Sequence, residues 1–470
     1  MKLFTYSPGG IHREAEKLTK NKPFERLDSP SVVVIPLSQH TGTPNTPLVK
    51  VSDHVLIGTL LGSSNQFVSA PVHSSVSGEV IAIEDRIVPA GNKVQSVIIK
   101  NDFKDEWIER KSIIAFESTT KEELIKIIRD SGIVGLGGAA FPTAVKLSPP
   151  MGKVINTIIA NGAECEFYLT TDHRVMLEFP DKIIDGLLVE MKITGASNGI
   201  IAVENNKLDA ANVLEKRAKE RGIVNIEVVL VKTKYPQGGE KQLVKAILKK
   251  EILSGGLPLD VGVIVQNVGT LKAIAEAVFE GRPLVERGIT VSGSAVSKPG
   301  NYIVSIGTQV RDIIDALGLN KKLRKLVFGG PMTGIAQSTV DAPVVKGTSA
   351  ILMFGEEVFD MSADEELPCI RCASCVDKCP VGLMPTLIDY AWRNQNLKLA
   401  EELHAVDCIE CGVCSYVCPA KRDLTENIKK VKQGIVKQKK IEAAKQAAFE
   451  KLKAQKLKEK AEKEVKEAQK

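Results

Sequence analysis

"CIRCASCVDKCP" at residues 369–380 and "CIECGVCSYVCP" at 408–419 hold eight of the chain's nine cysteines. A disulfide framework belongs to small secreted domains. This chain has 470 residues, opens on "MKLFTYSPGGIHREAEKL" with no apolar leader behind its lysine, and packs its cysteines into two tight blocks. Metal ligation in a reducing compartment fits better. The spacing then selects the metal. Zinc sites usually take cysteines in pairs, whereas C-x2-C-x2-C-x3-C-P delivers three thiolates from one short loop and a fourth nearby. Three thiolates suit one face of an iron–sulfur cubane, and the fourth suits a neighbouring one.

Used twice, the spacing is that of bacterial two-cluster ferredoxins, in which the fourth cysteine of each run ligates the other cluster. The expected sets are Cys369, Cys372, Cys375 and Cys418 for one [4Fe-4S] cluster, and Cys408, Cys411, Cys414 and Cys379 for the other. Pro380 and Pro419 turn the chain away after each run. Two zinc knuckles are the competing reading, and the spacing disfavours it. Between the runs, "LMPTLIDYAWRNQNLKLAEELHAVD" (383–407) reads as helix, with Leu387, Tyr390 and Ala391 at helical spacing. The module is therefore of the α-helical two-cluster type.

Upstream, "SGIVGLGGAAFPTAVKL" (131–147) sets Gly132, Gly135, Gly137 and Gly138 ahead of small residues and a helix start. Such glycines allow close backbone approach, and a helix N-terminus behind them would favour a phosphate, although plain turns share the pattern. The chain then alternates. Strand-like stretches at 153–162, 199–205, 225–233 and from 261 are interleaved with helical stretches around 180–192, 207–221, 239–250 and up to 278. This predicts a largely parallel sheet with ligands beyond the carboxyl ends of its strands. Polar clusters fall at those ends: "NGAECE" (161–166), "ENNK" (204–207), "YPQGGEKQ" (235–242) and "QNVGT" (266–270).

The bulk composition excludes other classes. The formal charge is +6, but residues 431–470 carry 13 lysines against 6 glutamates, so residues 1–430 sum to −1. No basic face with interleaved aromatics supports nucleic-acid binding. No run approaches the roughly 18 to 20 apolar residues of a spanning helix, so any membrane association is peripheral. The tail at 431–470, with Ile441, Ala448 and Leu452 as its only stripe, predicts a solvated helix or a weak electrostatic contact.

Taken together, "GLGGAAFPTAVKL", "NGAECEFYLTTDHRVMLE", "YPQGGEKQL", "QNVGTL" and the twin cysteine runs resemble the RnfC family. RnfC is the peripheral subunit of the Rnf/Rsx ion-translocating electron-transport complex. More distantly, the first four resemble the NADH- and FMN-binding subunit of respiratory complex I. The RnfC resemblance runs from "GGIHREAEKLT" (9–19) to the lysine-rich tail.

It implies a multidomain α/β and α+β chain: an N-terminal arm (1–29), an all-β barrel-sandwich domain (30–115), an α/β FMN/NADH-binding domain (120–285), a β-grasp SLBB domain (286–350), an α-helical two-[4Fe-4S] ferredoxin domain (360–430) and the tail (431–470). The barrel resembles biotinyl and lipoyl carriers, but no lysine occupies the hairpin between Ala70 and Gly78, so it reads as a docking or packing module, with His73 a satisfied turn residue.

The resemblance also implies that Gly135, Gly137, Gly138 and Lys146 hold the FMN phosphate and ring. Asn161 and Glu164 would lie beside the flavin, with Tyr235, Gly238, Gly239 and Glu240 closing over it and Asn267 and Thr270 on its phosphate or ribityl chain. Phe141 and Glu166 would receive NAD(H). Phe167 stands where RnfC-type sequences usually have proline, and Leu136 and Ala163 stand where the complex I subunit has arginine and aspartate. Cys165 reads as a small buried residue or flavin neighbour without chemistry of its own.

Hydride carries two electrons while an iron–sulfur cluster takes one, and a flavin does both. The implied function is electron exchange between NAD(H), FMN and two [4Fe-4S] clusters, within a complex whose other subunits are membrane and iron–sulfur proteins, at the cytoplasmic face of the cell membrane. Alternatives are a soluble flavin reductase such as a cobalamin reductase, and a non-catalytic iron–sulfur adaptor.

Overall fold

The computed structural model describes residues 1–12, 16–356 and 365–468, with side chains through residue 455. Residues 13–15 of the arm, 357–364 at the expected start of the ferredoxin module, and the last two of the tail lie outside the described residues. Contacts divide the chain into two units, Met1–Asp360 and Met361–Lys470.

In the first unit, β-branched runs with both faces buried build a parallel sheet. Its spatial order is Leu3–Phe4, Ile226–Val231, Asn198–Glu204, Thr157–Gly162, Val263–Asn267. Alternate residues feed two cores. Ile158, Ile201 and Ile264 pack on helices Pro180–Thr194 and Val268–Glu280, whereas Ile159, Val229 and Val265 pack on Glu240–Leu248. After Thr157–Gly162 the chain adds strands on one side, then crosses to place Val263–Asn267 on the other. A crevice opens at such a switch point, and Asn161 and Asn267 face one another in register there.

A second sheet of six strands follows, with helix Val310–Leu317 burying Val310, Ile313 and Leu317 against it. The arm joins both sheets, which its sequence did not announce. Leu3–Phe4 runs parallel to Ile226–Val231, and Phe24–Arg26 runs parallel to Gly300–Ser305. After the arm comes the all-β module, a four-stranded and a three-stranded sheet around Val33, Ile35, Leu61, Val80 and Val97. His73 is not in a turn. It closes the short strand Val72–His73 and is buried, and burial, with the Lys346 ammonium nearby, pushes it down to about 3.

The second unit is helical: Ser374–Asp377, Pro385–Arg393, Leu397–Glu402, Val413–Tyr416 and the 45-residue Leu424–Ala468. Ile388, Ala391, Ala400, Leu424, Ile428, Val431 and Ile435 form its core. Two expectations change. Leu387 and Tyr390 are exposed, because the helix turns Ile388 and Ala391 inward instead. The tail does not begin at residue 431, since Val431 and Ile435 are buried in the module, and only beyond them is the helix solvated, with Ile441, Phe449 and Leu452 exposed. Among the described residues no helix is long and apolar enough to cross a membrane.

Candidate functional site

At the switch point of the first unit lies a cavity of about 460 Å³, a size typical of small-molecule sites. Its floor is the end of strand Thr157–Gly162 with Asn161 and the loop after it with Ala163, Glu164, Cys165 and Glu166. Gly137, Gly138, Gly238 and Asn267 converge on it, as do Gln39, His40 and Thr41 of the all-β module and Gly330 and Thr333 of the second sheet. Gly135, Phe141, Lys146, Tyr235, Gly239, Glu240 and Thr270 are not among its lining residues.

The glycine loop is held by its ends. Gly135 N–H donates to Phe141 O at 2.8 Å, and Ala140 N–H donates to Gly135 O at 3.1 Å. Both polar groups of the Leu136 peptide are anchored from behind: its N–H donates to Thr270 Oγ1 at 2.8 Å, and its carbonyl accepts from the buried Arg287 at 3.2 Å. Burial pushes Arg287 down to about 10. Gly138 sits at φ +110° with nothing near its missing Cβ, a conformation only glycine adopts freely beside open space. From the all-β module, Thr41 donates its hydroxyl to Ala139 O at 3.0 Å and its N–H to Ala140 O at 3.1 Å. The helix behind the loop, Thr143–Lys146, has only four residues, too short for an aligned dipole. The helix that starts at the cavity is Val268–Glu280, with Asn267 Oδ1 accepting from Gly269 N–H at 2.9 Å.

The remaining expected residues divide. Asn161 Nδ2 donates to Gly238 O at 2.8 Å and so ties two lining segments. Lys146 and Glu240 pair with each other at 2.5 Å, Lys146 also donating to Val265 O. The Tyr235 ring packs on Phe167 with centroids 5.8 Å apart, and its backbone pairs with Ile11 of the arm. The Glu166 carboxylate accepts from Thr333 N–H at 2.9 Å and from its hydroxyl at 2.6 Å; a Cβ on Gly330 would come within 2.2 Å of it. Burial nonetheless raises Glu166 above the usual carboxylate range.

Three residues of the site carried no sequence reading. Asp172 donates its N–H to Glu164 Oε1 at 2.8 Å, and its carboxylate accepts from Asn267 Nδ2 at 2.8 Å; burial, then the Glu164 carboxylate, push it up to about 7. Arg287 anchors the glycine loop. Lys17 reaches the cavity floor from the arm. "TTDH" (170–173) and "REAEKLT" (13–19) contain two of them, but nothing in a lone Asp or Lys marks it as part of a site. Cys165 lines the cavity, and burial pushes its thiol up to about 12, so it stays protonated at neutral pH and lacks the thiolate a reactive cysteine needs.

In the second unit the cysteines line two separate cavities. Cys369, Cys372, Cys375 and Cys418 line one; Cys379, Cys408, Cys411 and Cys414 line the other. Each cavity thus takes three sulfurs from one run and one from the other. Among the described residues no three Cys, His, Asp or Glu side chains converge closely enough for a single metal ion. Four sulfurs from two runs around one cavity are the set that a cubane in a two-cluster module takes. The surroundings differ. Cys369 and Cys372 are exposed, and hydrogen bonds with Thr386 and Ser374 lower their thiols, whereas burial pushes Cys411 up to about 12 and Cys414 up to about 11.

Residues 5–104 match the RnfC barrel sandwich hybrid domain, 128–276 the Nuo51 FMN-binding domain, 289–336 the SLBB domain and 368–422 the 4Fe-4S dicluster domain. The chain is 42% identical over 428 residues to a component of a proton-translocating ferredoxin:NAD(+) oxidoreductase complex from Clostridium ljungdahlii, spanning 90% of this chain and 93% of that protein. It is 43% identical over 434 residues to a component of a Na(+)-translocating ferredoxin:NAD(+) oxidoreductase complex from Acetobacterium woodii, spanning 92% and 97%. With a component of an ion-translocating oxidoreductase complex from Vibrio cholerae it shares 38% over 405 residues, 85% of this chain and 52% of that one.

Proposed function

The chain belongs to the RnfC family, whose members are components of ion-translocating oxidoreductase complexes, and on that premise we propose that it exchanges electrons between NAD(H) and two [4Fe-4S] clusters through FMN. One observation carries the reading: a cavity at a parallel sheet's switch point and two four-cysteine cavities belong to one chain. When bound, FMN supplies the conversion between a hydride's electron pair and single electrons, and the clusters carry those electrons singly.

The chain's own residues bind and orient. Gly137 and Gly138 let the loop backbone approach a ring or phosphate, while Thr270, Arg287 and Thr41 keep that loop from collapsing into the space. Asn161 joins the floor to Gly238, and Asn267 brings the start of a 13-residue helix to the same wall. Glu164 has one carboxylate oxygen, Oε2, buried without a hydrogen-bond partner. A polar group so placed fits a ligand or water that completes it. Of the expected NAD(H) pair, Glu166 serves here through its hold on the Thr333 turn. The cysteines supply thiolates as Cys369, Cys372, Cys375, Cys418 and as Cys408, Cys411, Cys414, Cys379.

No side chain need act as acid or base for hydride transfer itself, so orientation is the protein's main contribution. The partners in this reading are membrane and iron–sulfur subunits of the same complex, with the chain lying peripherally on the cytoplasmic face and binding no nucleic acid. The test is anaerobic purification with iron, acid-labile sulfide and flavin counted per chain, followed by NADH. About eight irons and one FMN, bleaching together, uphold the reading. Clusters that ignore NADH in a chain that cannot take up added FMN would end it.

A further inference from the structure

In the arm, Lys17 is a largely buried cation whose every donor is committed. Lys17 Nζ donates to Glu164 O at 3.0 Å, to Glu166 O at 2.7 Å and to Leu169 O at 2.5 Å. An ammonium has three N–H donors and no acceptor, so three carbonyls of one loop saturate it. Its side chain is 11% exposed, and the Glu164 carboxylate lies 3.8 Å away. The loop it gathers includes Glu164, Cys165, Glu166 and Leu169, all of which line the cavity. That loop also contains Tyr168 at φ +67°, a conformation a bulky residue holds only when its surroundings over-determine it. Lys17 grips the carbonyls on both sides of it.

The lysine is itself held from two directions. Asn301 Nδ2 donates to Thr19 O at 2.9 Å, and Thr19 and Thr170 share a hydroxyl hydrogen bond of 2.5 Å. On the other side of the arm, Ile11 pairs with Tyr235.

We propose that Lys17 is a positioning residue for the cavity, gathering the carbonyls of Glu164, Glu166 and Leu169 to fix its floor and placing a positive charge behind it that favours reduced over oxidised flavin. The first half stands on geometry alone; the second rests on the flavin reading above. Arginine cannot replace the lysine fully, because its planar fork does not match three carbonyls clustered around one nitrogen.

The experiment uses the full chain, purified anaerobically, as wild type, K17M and K17R. Amide hydrogen exchange of residues 163–170 reads the floor, and fluorescence titration with FMN, oxidised and reduced, reads the charge. In K17M the floor amides are expected to exchange about tenfold faster or more, with the cysteine module unchanged, since three charge-assisted hydrogen bonds are lost. Oxidised FMN weakens about tenfold on the same ground. The ratio of reduced to oxidised affinity falls about tenfold further, a potential about 30 mV more negative. K17R keeps the charge and returns that ratio to near wild type while the floor still exchanges fast. Wild-type exchange in K17M overturns the positioning role, and if K17M does not fold, wild-type exchange in K17R does so. An unchanged affinity ratio in K17M overturns the charge role. Faster exchange in a chain whose wild type binds no FMN upholds the floor and overturns the flavin half together with the flavin reading.

Discussion

The cavity of the first unit and the cysteine module of the second are built on opposite principles. The module draws its expected ligands from two stretches of 12 residues, and eight sulfur atoms carry everything. The cavity has walls from the all-β module, the parallel sheet and the second sheet, with the arm bracing the floor loop through Lys17, and these parts are joined mainly by backbone hydrogen bonds and buried charges. A local site of covalent ligands should fail at single atoms. A distributed site should resist most single changes but respond to anything that alters the fold around it.

The largest expected effect probes the crossing of ligands in the module. If the fourth cysteine of each run serves the other run's cavity, Cys418→Ser and Cys372→Ser remove the same cluster although they lie in different runs. Each lowers iron from about eight to about four per chain, with identical electron paramagnetic resonance spectra of the surviving reduced cluster. Two different surviving spectra would overturn the crossing.

Next in size is a buried charge hub of the module. Asp389 accepts from Arg422 at 2.5 Å, Arg393 at 3.0 Å and Asn427 at 2.7 Å, and it is 1% exposed. Burial alone would push it up, but these hydrogen bonds outweigh burial and hold it below the usual carboxylate range. Its contribution is therefore present at neutral pH and lost as pH falls below that range. Asp389→Ala leaves the partly buried Arg422, among the described residues, with only Glu366, 3.8 Å away, as a carboxylate partner, and should cost about 3 kcal/mol in denaturant unfolding. A cost near zero would mean that the clusters alone hold the module.

These differences in construction explain what the sequence disclosed. Cysteine spacing is a local signal, and the two sets of four line two cavities. The parallel sheet was equally legible, because Thr157–Gly162, Asn198–Glu204, Ile226–Val231 and Val263–Asn267 are continuous apolar runs separated by helical stretches. The cavity walls were not. Lys17 and Glu164 lie 147 residues apart, and Leu136 and Arg287 lie 151 apart. No periodicity links such pairs. The arm's strands, Leu3–Phe4 and Phe24–Arg26, are two and three residues long, below what alternation can reveal. The motifs place Lys146 and Glu240 at the ligand, and no motif discloses that the two side chains pair with each other.

The distributed site makes a pH-dependent prediction. Glu190, wholly buried behind the sheet, accepts from Gln266 Nε2 at 2.6 Å, one residue before Asn267. Burial pushes it up to about 7 from 4.5. The folded state then holds a proton that the unfolded state has released, so stability falls as pH rises from about 4.5 to about 7, and the full cost persists above. Glu190→Gln removes that cost. It should stabilise the first unit on the order of 2–3 kcal/mol at pH 8 and change little at pH 5, read from denaturant midpoints. A gain equal at both pH values would show that packing, not charge, governs the position.

The smallest effect, at Ile441, tests where the module stops. Ile435 is 2% exposed and Ile441 is 47% exposed, although they lie only six positions apart on one continuous helix. Ile435→Ala removes side-chain volume from a closed core and should cost about 2–4 kcal/mol. Ile441→Ser, on a solvated turn, should change module stability by less than about 0.5 kcal/mol. A cost at Ile441 comparable with that at Ile435 would mean that the lysine-rich stretch packs on something in the assembled protein, and the helix would then be a continuation of the module's core instead of a solvated extension of it.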